Sequence, residues 1–203
     1  MNRYLKLRYL SLLLALNYSF ALAEISLPSM PSVSMPGDKT TAEKKREILH
    51  QSKKILSHLY TVAPSARQAI QKSAGYATFS SFGMKILVAG GGSGAGVAID
   101  NETDKPVYMN MVEVEAGLGM GIKSFEVIFI FQNKTALSNF INSGWTLGGQ
   151  ATASAKYKES GDAYQGAVDI APGVLMYQLT DSGLAAEITG KGTKYYKNAE
   201  LNK

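Results

Sequence analysis

The sequence offers few side chains of the kinds that carry out catalysis. It contains no cysteine, which excludes a cysteine nucleophile, thiolate metal ligands and a disulfide framework. Its two histidines, His50 and His58, are eight residues apart, whereas two ligands on adjacent turns of one helix face are four apart. We therefore expect no zinc site, no other cofactor and no histidine that serves as a base for a nucleophile.

Two carboxylates have a spacing that could support chemistry. Glu113 and Glu115 are two residues apart in a predicted strand, so they share one face. A carboxylate pair of this kind could act in general acid–base catalysis. The alternative is the solvated face of an edge strand, which we favour because no G-x-S-x-G or H-E-x-x-H motif accompanies the pair. The sequence therefore predicts a protein that is not an enzyme.

Positive charge is concentrated near one end of the chain. Residues 39–72 carry eight bases and two acids, a net charge of 8 − 2 = +6. A basic amphipathic helix is typical of a protein that binds anionic membrane surfaces. The alternative is the solvated side of a helix whose apolar side covers a sheet. The candidate lipid-binding residues are Lys44, Lys45, Arg46, Lys53, Lys54 and Arg67.

Small residues recur two apart in three segments, and on a strand such residues share one face. Two interpretations stay open. Either the sheet curls tightly and packs closely against its neighbours, or the stripes line a shallow apolar groove for an acyl chain or another flat ligand. The third stripe is Gly149, Ala151, Ala153 and Ala155. The candidate groove residues are Gly92, Gly94, Gly96, Gly117, Gly119 and Gly121.

The glycine-rich run from Gly90 to Gly96 formally fits the dinucleotide pattern G-x-G-x-x-A. That motif needs a helix directly after it, whereas the sequence here continues as a strand and then a turn. No Lys-Ser or Lys-Thr pair follows to complete a phosphate-binding loop. We therefore do not expect a nucleotide site.

The elements that position these residues begin with helices. Thr40 and Glu43 form a capping-box pattern that predicts the start of a first helix, and Pro64 predicts its end. Ser65 is the predicted cap of a second helix that runs to about Lys72. A third, short helix is predicted over Thr135 to Ser143, with Thr135 as its cap.

From Gly75 onwards the sequence is typical of strands. Helices followed by strands predict an α+β fold, with the N-terminal helices packed on a strongly curved, mostly antiparallel, glycine-rich and barrel-like sheet. The predicted strands are Tyr76 to Phe82, Ile86 to Ala89, Gly94 to Ile99, Tyr108 to Gly121, Phe125 to Phe131, Ala151 to Tyr157, Ala167 to Ile170 and Val174 to Leu179.

The first 23 residues are typical of a secretory signal peptide, with a basic start, an apolar run and an Ala21-Leu22-Ala23 cleavage site. Residues 24–40 are predicted to be a Pro/Ser-rich linker, and residues 41–203 the folded domain. We therefore expect an exported protein, periplasmic or secreted. Cleavage removes three of 21 bases and no acid, which leaves 18 − 16 = +2 and little electrostatic support for a nucleic-acid partner.

An ordered set of motifs along the chain resembles the SYLF domain family. The resemblance covers roughly Thr41 to Asn198. Its motifs are Ala74 to Phe79, the glycine run Gly90 to Gly96 with Val97, Gly117-x-Gly-x-Gly121, Phe125 to Asn133 with Ala136, Leu137 and Phe140, and Leu147 to Ala151.

The resemblance implies a module that binds phosphoinositides or other anionic lipids through a basic N-terminal segment, and it implies no catalysis. Members in eukaryotes also bind actin. The sequence therefore predicts an exported, non-catalytic protein whose partner is an anionic phospholipid or membrane surface. The alternative is a structural or protein–protein interaction module of the cell envelope, with exposed aromatics such as Trp145 meeting a protein partner.

Overall fold

A capping box starts the first helix in the computed structural model, which describes residues 39–86, 89–116, 121–147, 166–181, 183–184 and 192–203. Helix α1 spans Thr41–Val62. The Thr40 hydroxyl accepts a hydrogen bond from the Glu43 amide at 3.2 Å, and the Glu43 carboxylate accepts one from the Thr40 amide at 2.8 Å. The predicted capping box is confirmed, whereas the predicted signal peptide and residues 24–38 of the predicted linker lie outside the described residues.

The second predicted helix is confirmed, and the third begins at a different cap. Helix α2 is Ala66–Lys72 with Ser65 at its N-cap position, although the Ser65 side chain makes no capping hydrogen bond. Helix α3 is Lys134–Ser143 and is capped by Asn133, whose side-chain oxygen accepts from the Ala136 amide at 2.9 Å. Asn133 has the extended backbone of an N-cap and belongs to the best capping residue types, so it takes the place predicted for Thr135.

The described strands form one antiparallel sheet, curled into a half-barrel, so the predicted α+β class is confirmed. The strand order is β5-β9-β3-β2-β1-β4-β7-β6, and β8 pairs with β7. The strands are β1 Gly75–Ile86, β2 Ala89–Asp100, β3 Pro106–Ala116, β4 Gly121–Phe131, β5 Trp145–Leu147, β6 Val168–Ala171, β7 Val174–Thr180, β8 Gly183–Leu184 and β9 Thr193–Lys197.

The glycine run lies inside a strand. Residues 89–100 of β2 pair along their whole length with β1, so this segment is not a phosphate-binding loop. The predicted short strand from Ile86 to Ala89 falls at the end of β1 and the start of β2. The predicted strand from Ala151 to Tyr157 lies outside the described residues. The sequence did not predict β5, β8 or β9, because each is only two to five residues long.

Both faces of the sheet are covered, by different helices. Strand side chains alternate between the two faces of the sheet, so each strand contributes to two cores. Helix α3 packs on one face, where the large buried side chains include Phe79, Met109, Met111, Phe129, Phe131, Phe140 and Tyr195. Helices α1 and α2 pack on the other face, which presents Val97, Tyr108, Ile128, Ile130, Leu175 and Tyr177. Helix α1 crosses several strands, since Ile48 packs near Tyr108 on β3 and Leu59 near Tyr177 on β7.

Candidate functional site

One row of α1 side chains faces the sheet. Residues seven apart lie on nearly the same side of an α-helix, because seven residues make almost two turns. Lys45, Ser52 and Leu59 form such a row, and Ser52 and Leu59 are buried. The Lys45 ammonium lies 5.5 Å from the centre of the Tyr108 ring, a cation–π contact. Lys45 is therefore directed towards the protein and is only half-exposed.

The other predicted α1 cations lie on three different rows of the helix. Arg46 and Lys53 share one row, whereas Lys44 and Lys54 each belong to another. All four side chains are exposed. Within the described ranges, none of them forms an ion pair. The predicted cations are thus exposed but are distributed over several sides of the helix.

The two acids of α1 are already engaged. Hydrogen bonds from the Thr40 amide and hydroxyl lower the pKa of Glu43, which is held in the capping box. Glu47 forms an ion pair with Lys39 at 2.6 Å. Neither carboxylate therefore neutralises the exposed cations further along the helix.

Arg67 lies beside the row of Arg46 and Lys53. Its guanidinium is 4.2 Å from the centre of the Tyr60 ring, and Tyr60 is seven residues after Lys53. Arg67 is exposed on α2, while Tyr60 packs against the core. Stacking on an aromatic ring leaves the guanidinium edge free to bind an anion. This side of α1 thus presents three of the six predicted lipid-binding residues.

Gly94 and Gly96 of β2 face the core that lies between the sheet and α3. A Cβ atom at Gly96 would collide with the Phe79 ring and the Thr78 carbonyl oxygen, and one at Gly94 would collide with the Ser80 carbonyl oxygen. At these two positions the protein itself fills the space, as in the close-packing interpretation.

The remaining candidate groove residues are Gly92, Gly117, Gly119 and Gly121. Gly92 pairs with Gly83 and Glu113 in the sheet, and Gly121 is the first residue of β4. Gly117 and Gly119 lie outside the described residues.

A groove does exist, but on the opposite face of β2. It has a volume of about 450 Å³ and lies between α1 and the sheet, where Ala95 and not the glycines forms the β2 wall. We call it the α1 groove. It is lined by Lys44, Glu47, Ile48, Gln51, Ser52, Ile55, Thr78, Ser80, Ala95, Asn110, Asn198 and Leu201.

The predicted solvated edge at Glu113 is wrong. Strand β3 pairs with both β2 and β9 at this residue, and Glu113 is only 9% exposed. Burial, and secondly the nearby Glu113 charge, raise the pKa of the Tyr195 hydroxyl far above its ordinary value. Glu113 does not line the α1 groove, and the Glu115 side chain lies outside the described part of the chain.

Other classes of site find no support in the described ranges. No three histidine or acidic side chains there are grouped so that they could hold a metal ion. No described helix combines the length and hydropathy needed to cross a bilayer. Trp145, predicted to be an exposed contact for a partner, is half-buried and packs on Phe129 and Phe140, with ring centres 5.8 and 6.3 Å apart. That prediction was wrong.

Comparison with known proteins relates this chain to a family model and to a named relative. Residues 112–203 match the family model Ysc84, described as "Las17-binding protein actin regulator". The chain is also similar to beta cell expansion factor A of Aeromonas veronii, with 27% identity over 167 residues. The match covers 82% of this chain but only 62% of that relative. The resemblance of the sequence to the SYLF family is therefore confirmed over residues 112–203, the segment that matches the Ysc84 model.

Proposed function

We propose that this chain is an exported, non-catalytic protein that binds anionic membrane surfaces through the outward cations of α1 and through Arg67. The family is a family of binding modules and not of enzymes, which supports the non-catalytic part. The predicted signal peptide supports export to the periplasm or the medium. The membrane partner is supported by the charge pattern of α1.

The observation that carries the proposal is a set of exposed cations that form no ion pair with any other described residue. Lys44, Arg46, Lys53 and Lys54 are exposed, and both acids of α1 are engaged elsewhere. Each cation close to an anionic surface contributes about 1 kcal/mol. The three cations that lie on one side, Arg46, Lys53 and Arg67, give roughly 3 kcal/mol at low ionic strength, which is enough for reversible binding but not for permanent anchoring.

A vesicle co-sedimentation assay tests the proposal. The mature chain beginning at Glu24 should pellet with phosphatidylglycerol vesicles at low salt and not with phosphatidylcholine vesicles. Binding should disappear in 1 M salt, where the screening length falls to about 3 Å. Failure to pellet with phosphatidylglycerol vesicles at low salt would overturn the proposal.

Charge reversal assigns the binding to the helix. Arg46→Glu with Lys53→Glu should lower vesicle binding by at least about tenfold, because two attractive contacts become repulsive. The matched control is Lys105→Glu with Lys197→Glu, which changes the net charge equally at exposed positions outside α1. Equal losses in both variants would show that only net charge matters. Unchanged binding in the α1 variant would contradict the proposed surface.

A further inference from the structure

The α1 groove is lined mainly by uncharged hydrogen-bonding groups. Its volume of about 450 Å³ lies within the range of roughly 300–1,000 Å³ that is usual for small-molecule sites. Hydroxyl and carboxamide side chains come from the helix, from strands β1 and β3 and from the C-terminal segment. They are Gln51, Ser52, Thr78, Ser80, Asn110 and Asn198.

Several of these groups keep hydrogen-bonding capacity for a ligand. Across the described ranges, the Gln51 carboxamide and the Ser80 hydroxyl make no hydrogen bond. The Thr78 hydroxyl donates to Ser52 at 2.8 Å, which leaves the Ser52 proton unused. The Asn110 oxygen accepts from Asn198 at 2.9 Å, so the Asn110 amide protons stay available. The groove thus offers both donors and acceptors.

Charge contributes little inside the groove. Of its two charged lining residues, Glu47 is neutralised by Lys39 at 2.6 Å, and Lys44 is a single exposed cation. Sites built for phosphate usually combine several charged or backbone donors. This groove therefore suits a ligand that forms many hydrogen bonds and carries little or no charge.

Apolar surface is interleaved with the polar groups. Ile48, Ile55, Ala95 and Leu201 complete the wall. Tyr196 is 36% exposed and is the register partner of Asn110, so it stands beside the groove on the same face of the sheet. An exposed aromatic ring next to carboxamides and hydroxyls can pack against the C–H face of a sugar ring while the polar groups bind its hydroxyls.

We propose that the α1 groove is a binding site for a saccharide of one or two neutral rings. The ring hydroxyls bind Gln51, Ser80 and Asn110, and the apolar ring face packs on Tyr196. This site is separate from the side of α1 that carries Arg46, Lys53 and Arg67, because none of these three residues lines the groove. Saccharide binding and vesicle binding can therefore fail independently.

The test is an amide NMR titration of the mature chain with soluble sugars. Glucose, galactose, mannose, N-acetylglucosamine and their disaccharides are added separately at millimolar concentrations. At least one should cause saturable shifts at Ser80, Ala95 and Asn110. Absence of saturable shifts at these residues with every sugar would overturn the proposal.

Matched variants locate the binding. Gln51→Leu with Ser80→Ala should weaken the responding sugar about tenfold, because two hydrogen bonds are lost. Gln68→Leu with Ser57→Ala makes the same chemical changes at exposed helix positions outside the groove and should have no effect. Equal affinity for both variants would contradict the site. Tyr196→Ser should also weaken binding, without the risk of disturbing a buried core.

Inorganic phosphate and glycerol 3-phosphate form the other arm of the experiment. They should shift the groove residues less than the responding sugar does. If they shift these residues and the sugars do not, the groove is an anion site and the saccharide proposal is wrong. If vesicles that contain phosphatidylinositol shift the groove residues and no soluble sugar does, the bound sugar ring is that of a lipid headgroup. The soluble-saccharide proposal then also fails.

Discussion

Phe79 occupies the space that any side chain at position 96 would need. The Phe79 ring also packs edge-on against Tyr195, with ring centres 4.8 Å apart, so it cannot move away easily. We expect Gly96→Ala to lower the free energy of unfolding by about 1–3 kcal/mol through overpacking. Urea denaturation measures this. Gly91→Ala is the control, because a Cβ atom there meets its nearest neighbour at an ordinary 3.4 Å.

If Gly91→Ala lowered the free energy of unfolding as much as Gly96→Ala does, the packing explanation would be contradicted. Such a result would show that the cost comes from a general property of glycine in β2 and not from the contact with Phe79.

Asp100 makes a pH-dependent contribution to the stability of the folded protein, and this contribution can be measured. A hydrogen bond from Lys134 at 2.6 Å, followed by hydrogen bonds from the Glu102 and Thr103 amides, lowers the pKa of Asp100. A lowered folded-state pKa stabilises the protein above the unfolded value of about 3.9, and this stabilisation is lost as the pH falls through the folded value. Lys134→Met should therefore raise the pKa of Asp100 towards its ordinary value.

Carboxyl NMR titration measures that pKa directly. The stability difference between wild type and Lys134→Met should shrink as the pH falls below about 4. Lys105→Met removes an exposed lysine that has no ion pair within the described ranges, and it should leave the Asp100 titration unchanged. An unchanged Asp100 pKa in Lys134→Met would contradict the assigned cause.

The N-cap of helix α3 is Asn133, two residues before the predicted cap Thr135. Replacing Asn133 with Ala removes the hydrogen bond to the Ala136 amide, so we expect a loss of about 1 kcal/mol in the free energy of unfolding. Thr135→Ala, at the position predicted as the cap, should change the free energy of unfolding by only a few tenths of a kcal/mol. Thermal or urea unfolding of both variants decides between the caps, and a larger loss at Thr135 would restore the original prediction.

Elements with strong local signals could be predicted from sequence. The Thr40 and Glu43 box and the break at Pro64 defined α1, and the turn around Asp100 separated two long strands. Short strands such as β9 could not be predicted, because Thr193–Lys197 becomes a strand only by pairing with β3 and β5. Partner strands distant in sequence supply that information.

The candidate site shows the same limit. Composition predicted the cluster of cations, but only the packing of α1 revealed that Lys45 turns inward over Tyr108 and that Glu47 is paired with Lys39. Nothing in the sequence marked the α1 groove, since its lining comes from five separate segments. A seven-residue count along α1 could have separated Lys45 from Lys53, because Lys45 falls in the row of Leu59.

At the scale of the whole molecule, the C-terminal segment ties β3 to the rest of the fold. Asn202 accepts a hydrogen bond from the Tyr108 amide at 2.9 Å and donates one to the Tyr108 carbonyl at 2.7 Å. Leu201 is buried with Val97 and Tyr108. We expect Asn202→Ala to lower the free energy of unfolding by about 1–2 kcal/mol, because a half-buried backbone amide loses its partner.

Hydrogen exchange of the Tyr108 amide checks this prediction, since it should become faster in Asn202→Ala. Lys203→Ala, one residue later and exposed, is the control and should change neither stability nor exchange. Unchanged protection at Tyr108 in Asn202→Ala would show that the C-terminal segment is not what holds this part of β3.

The position of Leu201 in the groove wall has a practical consequence for recombinant work. Lys203 follows it by two residues, so an affinity tag fused after Lys203 would emerge beside the groove mouth and compete with anything that enters. A polyhistidine tail there would also add titratable charge next to Lys44. A tag placed ahead of the linker, with a protease site for its removal, avoids both artefacts.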